Sequence, residues 1–132
     1  MSLRRKMQAY KNADRDAVVE SDDPHALIAV LFDELLRHMH AFLAETDSGQ
    51  ADNNAPSQHF SRALTILYGL QSSLNFEQGG DIANNLFRLY EYSRQQLLLA
   101  MRSRETEGTR AAILALENIR DAWREIDKGA AK

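Results

Sequence analysis

The sequence predicts an all-α fold: an antiparallel up-down four-helix bundle with a short N-terminal helix or arm. Three observations carry this expectation. The breakers fall in groups, at Pro24, Gly49 to Pro56, Gly79-Gly80 and Gly108, dividing the chain into segments of about 20 residues. Those segments are rich in Leu, Ala, Arg, Glu and Gln, which are good helix formers. None shows the alternating β-branched pattern of a strand. At 132 residues the chain suits one domain, since single cores usually serve about 100–200 residues. Residues 1–20 form the arm in this reading and residues 23–127 the bundle.

The first long helix is expected to start at Pro24. Asp23 is a good N-cap, Pro24 suits the first helical position, and Asp22 and Asp23 complement the positive helix end. Leu27, Ile28, Leu31, Phe32, Leu35, Leu36, Met39, Phe42 and Leu43 recur at helical spacing, and the helix fades near Glu45. A second helix runs from Asn54 or Pro56 to Leu74 and buries Phe60, Ala63, Leu64, Leu67, Leu70 and Leu74. Asn75 to Gly80 reads as a turn. Asp81 then caps a third helix carrying Ile82, Leu86, Leu89, Tyr90, Leu97 and Met101. The fourth spans about Thr106 to Asp127, with Ala111, Ala112, Ala115, Leu116, Ile119, Ala122, Trp123 and Ile126 on one broad face. Tyr90 and Trp123 are assigned to the core. The first 20 residues, around Leu3, Met7, Tyr10, Val18 and Val19, carry a weaker pattern.

Composition excludes several classes of function. With no cysteine there is neither a disulfide framework nor a thiolate metal site, which fits a reducing, cytoplasmic setting. A net charge of −3 argues against nucleic acid as the main partner. The basic N-terminus, Met1-Ser2-Leu3-Arg4-Arg5-Lys6, has no apolar region behind it and does not read as a secretory signal. No stretch approaches the roughly 20 apolar residues of a membrane span. Arg4, Arg5, Lys6 and Lys11 read as a solvated end in preference to a contact for an acidic partner or a membrane surface.

Apolar residues make up 44% of the chain, more than four core stripes need, since a bundle helix buries one stripe of about 100°. Ile66 and Tyr68 fall at opposite margins of the second helix. Phe87 and Leu98 flank the stripe of the third, and Tyr92 lies on its far side. Ile113 and Leu114 fall outside the main face of the fourth. Single apolar residues at a surface are ordinary. Several margin residues on several helices point instead to a groove for a helical or extended peptide partner.

Catalytic constellations are weak, and the chain is not expected to be an enzyme or to hold a cofactor or metal. His25, His38, His40 and His59 read as surface histidines. Glu34 and His38 share a helix face at i, i+4, but two ligands do not make a metal site. No Glu has His three residues later, as a di-iron bundle requires. Gly79-Gly80 has no following Lys to make a phosphate loop. A signalling bundle that accepts phosphate on His38 or His59 is an alternative reading, as is an adaptor for another partner helix.

The run Leu74-Asn75-Phe76-Glu77-Gln78-Gly79-Gly80-Asp81-Ile82-Ala83-Asn84-Asn85-Leu86-Phe87-Arg88-Leu89-Tyr90-Glu91-Tyr92 closely resembles the signature of the FliS family, the flagellin-specific secretion chaperones of bacteria. Val19-Glu20-Ser21-Asp22-Asp23-Pro24-His25-Ala26-Leu27, followed by Leu31-Phe32, is similar to a second family segment. Leu116 with Ile119-Arg120-Asp121-Ala122-Trp123-Arg124-Glu125-Ile126 is similar to the C-terminal Trp motif. The resemblance covers residues 7 to 127. Ser21 and Asp22 replace the usual Thr-Ala, Ser93 stands where an apolar residue is common, and Tyr10 matches the N-terminal Tyr at a longer spacing from Val19. The resemblance implies a cytoplasmic export chaperone that holds the disordered C-terminal region of flagellin, blocks premature polymerisation and delivers its client to the export gate. It also implies that an arm containing Tyr10 covers the groove until the client displaces it. The expected contacts are Tyr10, Ile66, Tyr68, Phe87, Tyr92, Leu98, Ile113 and Leu114, on a monomer or weak homodimer without membrane insertion.

Overall fold

The computed structural model of the chain describes residues 23–49 and 57–130, the side chains of 127–130 excepted. The N-terminal arm expected over residues 1–20, Tyr10 included, lies outside the described residues. Four helices follow in order: α1 (Pro24–Asp47), α2 (Gln58–Ser72), α3 (Phe76–Ser103) and α4 (Glu107–Ala130). No strand occurs among the described residues.

Local chemistry sets the helix starts. The Asp23 side chain accepts from the Ala26 N–H at 3.1 Å, with Pro24 at the first helical position. Ser57 caps α2 by accepting from the N–H groups of His59 and Phe60, so that helix begins later than Asn54 or Pro56. α3 departs further from expectation. Asn75, not Asp81, is its cap, accepting from the Gln78 N–H at 3.0 Å. The expected turn is one helical turn joined to the rest of α3 through a kink at Gly80, whose φ of 50° and ψ of −123° suit only glycine without strain. Arg104 ends α3 in the left-handed conformation, its N–H bonded to the Ala100 carbonyl.

The helices form a ring in which α1 packs against α2 and α4, and α3 against the same two. Contacts along the α1–α4 seam pair His25 with Trp123, Asp33 with Arg120, His40 with Glu117 and Asp47 with Arg110. One number rises as the other falls, so these helices run antiparallel. The short links Ser73–Asn75 and Arg104–Thr106 reverse the chain at the α2–α3 and α3–α4 corners. Phe32, Leu35, Met39, Phe42, Leu67, Leu70, Leu97 and Leu116 are fully buried at the centre.

Ring packing corrects four sequence expectations. Ile66 and Ile113 are buried core residues, not surface margins. Each helix in a ring packs against two neighbours, so its buried arc is wider than one stripe. Ile82 and Ile126 err the other way, assigned to core faces but 72% and 59% exposed. The Thr109–Gln96 contact sets the α3–α4 register, and counting antiparallel from it brings Ile126 level with the Gly79-Gly80 break. No straight stretch of α3 faces it there.

Candidate functional site

The Gly80 break opens the structure at one end of the bundle. The start of α1, the end of α2, the start of α3 and the end of α4 meet there around a cleft of about 330 Å³. Asn75 caps the first turn, which places Gln78 and Gly79 in one wall. Beyond the kink, Ile82, Ala83, Leu86 and Tyr90 continue that wall; Ile28 and Phe32 of α1 and Ile119 and Trp123 of α4 face it. Ser73, Leu74 and Asn75 complete the lining, so the interior is apolar and the polar groups gather near the α2–α3 link. The volume is at the small end of ligand pockets: it suits a few large side chains of a peptide, not a whole helix.

Trp123 is fixed by a two-way clasp. Its indole N–H donates to the His25 carbonyl at 2.9 Å, and His25 Nε2 lies 2.9 Å from the Trp123 carbonyl, so a proton on Nε2 is donated to it. The two rings stack at 4.1 Å and 7°. Trp123 is half-buried at the cleft wall, where the sequence placed it in the core. Tyr90 is in the core as expected, and burial pushes its phenol up to about 12.

Among the residues expected to meet a partner, Tyr68 and Leu114 are 71% and 64% exposed, and Phe87 and Tyr92 are also exposed. Leu98 is half-buried and packs on the core. Tyr68, Phe87, Tyr92, Leu98 and Leu114 are absent from the cleft lining. Phe87 instead meets Phe76 edge-on at 6.0 Å, an exposed aromatic pair beside the kink. Sequence reasoning missed the cleft because Ile28, Ile82 and Trp123 have core periodicity. The available signal was a glycine pair inside a helical pattern.

The histidines are not all at the surface. His38 is 1% exposed, a correction with a clear cause: α2 packs across it and supplies His59 as partner, Nδ1 to Nδ1 at 2.9 Å. Arg37 Nη2 lies 3.3 Å from His38 Nε2 and can only donate, so that nitrogen accepts and the His38 proton sits on Nδ1, donated to His59. Burial, then the Arg37 charge, pushes the His38 imidazole down to about 4. A phosphoryl donor has no access to this ring, and the Nδ1 of His59 is already engaged. Among the described residues, no group of three or more His, Asp or Glu is placed to hold a metal ion, and no helix is long and apolar enough to cross a membrane.

Known sequences place this architecture. The chain is 34% identical to the flagellar secretion chaperone FliS of Salmonella typhimurium, over 94% of this chain and 91% of that protein. It is 28% identical to the flagellar secretion chaperone FliS of Vibrio cholerae, over 94% and 90%. It is 29% identical to the flagellar secretion chaperone FliSB of Pseudomonas aeruginosa, over 89% and 91%. The family described as flagellar protein FliS matches residues 6–130. With a four-helix fold and a match along nearly its whole length, the chain belongs to the FliS family of flagellar secretion chaperones.

Proposed function

We propose that this chain holds the disordered C-terminal segment of flagellin in the cytoplasm, keeps it from polymerising prematurely and delivers it to the flagellar export gate. The observation that carries this reading is the apolar cleft, together with the exposed Tyr68, Phe87, Tyr92 and Leu114 on three different helices. A disordered client offsets its ordering entropy by burying a large area, so it suits several shallow apolar contacts spread round a bundle. The cleft takes the anchoring side chains of such a client, and the exposed residues line the path of the rest. Leu98 contributes a partly covered apolar surface to that path; Ile66 and Ile113 act from beneath, as core support. The working unit is a monomer or weak homodimer, without catalysis.

Calorimetry with a flagellin C-terminal peptide tests the assignment: micromolar or tighter binding is expected, and its absence would sink the client. The N-terminal arm with Tyr10 is the resting cover of the cleft in this proposal. α1 begins at the cleft end, with His25 against Trp123. Deleting residues 1–18 is expected to raise peptide affinity; an unchanged affinity refutes the cover.

A further inference from the structure

The cleft has two aromatic polar groups in its apolar wall, and they differ in one respect. The Trp123 indole N–H is committed within the chain, to the His25 carbonyl. Tyr90 is only 2% exposed and lines the cleft. Its ring is tilted against Phe32 at 6.3 Å, yet none of its hydrogen bonds falls on another described residue. Buried polar groups are nearly always hydrogen-bonded, and one left unpaired is costly. At the rim, by contrast, the Ser73 hydroxyl donates to the Leu70 carbonyl and the Asn75 side chain caps α3.

We propose that Tyr90 is a client-binding residue of the cleft, its phenol donating a hydrogen bond to a backbone carbonyl of the client segment that occupies it. This rests on the reading of the cleft as a client site, and deepens it. A peptide entering an apolar cleft carries carbonyls along with its side chains, and each one removed from water needs a donor. Ile28, Phe32, Ile82, Leu86 and Ile119 supply none, and the Trp123 N–H is taken. Gln78 is a further side-chain donor on the exposed first turn of α3, whereas Tyr90 is the donor set among the buried apolar residues of the wall. The phenol stays protonated throughout the physiological range, because burial disfavours the phenolate.

Tyr90→Phe tests the proposal, because the two roles a buried tyrosine can have move two readouts differently. A hydroxyl serving the client leaves the free protein's melting temperature unchanged or higher when removed, and weakens flagellin-peptide binding on the order of tenfold. A hydroxyl satisfied within the chain lowers the melting temperature when removed; that result overturns the proposal, as does equal peptide affinity in the variant. A peptide series with single backbone amides replaced by esters, which weakens one carbonyl acceptor at a time, locates the bond. At one position the ester and Tyr90→Phe are expected to be non-additive, and full additivity at every position refutes a carbonyl acceptor. If the wild-type chain fails to bind the peptide, the client reading falls and this inference with it. If the wild type binds and the variant binds equally, the Tyr90 inference falls alone.

Discussion

Acidification is expected to loosen the α1–α2 seam, and the buried His38 sets the window. Its neighbours are Glu34 and Arg37 on α1 and His59 and Arg62 on α2. Burial leads in lowering its pKa from 6.5 to about 4, with Arg37, His59 and Arg62 acting the same way and Glu34 opposing them. The folded state therefore binds fewer protons than the unfolded chain between these two values. Its full contribution to stability is present above pH 6.5, falls as pH drops towards 4, and levels off below, where both states are protonated. Each pKa unit corresponds to about 1.36 kcal/mol, so the loss across the window approaches about 3 kcal/mol. Urea unfolding at half-unit pH steps measures it, with the slope expected to reach about 1.2 kcal/mol per pH unit near pH 5. His38→Gln cannot titrate, so it lowers stability at pH 7 but removes this slope. An equal slope in variant and wild type between pH 6.5 and 4.5 would refute the assignment.

A second acid step belongs to Glu91, held down to about 2 by hydrogen bonds from Arg94 and then Gln71. Its contribution is present above 4.5 and lost as pH falls towards 2, so Glu91→Gln flattens that lower window and leaves the His38 window alone; a carboxyl NMR titration reads it directly. Gly80→Ala forces a side chain into a positive φ and is expected to cost about 1–3 kcal/mol in thermal unfolding and to weaken peptide binding. Leu97→Ala creates a cavity in the centre of the bundle and costs about 2–5 kcal/mol. Leu114→Ala stays within about 0.5 kcal/mol of wild type by the same melt, while peptide affinity falls. Trp123→Phe keeps the stack on His25 but loses the indole bond, for about 1 kcal/mol by chemical denaturation.

The fold was legible wherever the cause was local. Asp23-Pro24 specifies the start of α1 through a cap and a fixed φ, both properties of adjacent residues, and the structure starts α1 there. The central stripe residues Phe32, Leu67, Leu97 and Leu116 are buried because helical period alone aligns them. Ile66 and Ile113 were misread because their burial comes from a second neighbouring helix, whose position no single-helix projection contains. His38 was misread for a related reason: its partner His59 is on another helix, 21 residues away. In the C-terminal motif, the spacing put Trp123 on an inward face but gave no hint that His25 would clasp it across the bundle.

Ile82 exposes what governs the site. Its periodicity points inward, yet it remains 72% exposed on the cleft wall, uncovered by any of the described residues. Were α3 to run straight through residues 76–103, its first turn would continue the axis of the rest; instead Gln78 and Gly79 line the wall just before the kink at Gly80. The Gly80 conformation prevents that path, so the break and the exposed apolar wall have one cause. A chain gains nothing for its own stability from a wall built this way: apolar surface left in water forgoes about 25 cal/mol per Å². The arrangement makes physical sense when something else covers the wall for part of the time. Gly80 and Ile82 should therefore separate the two quantities. Gly80→Ala is expected to lower both stability and client affinity, whereas Ile82→Ser should lower affinity alone. Equal losses of stability in the two variants would mean that Ile82 belongs to the core after all.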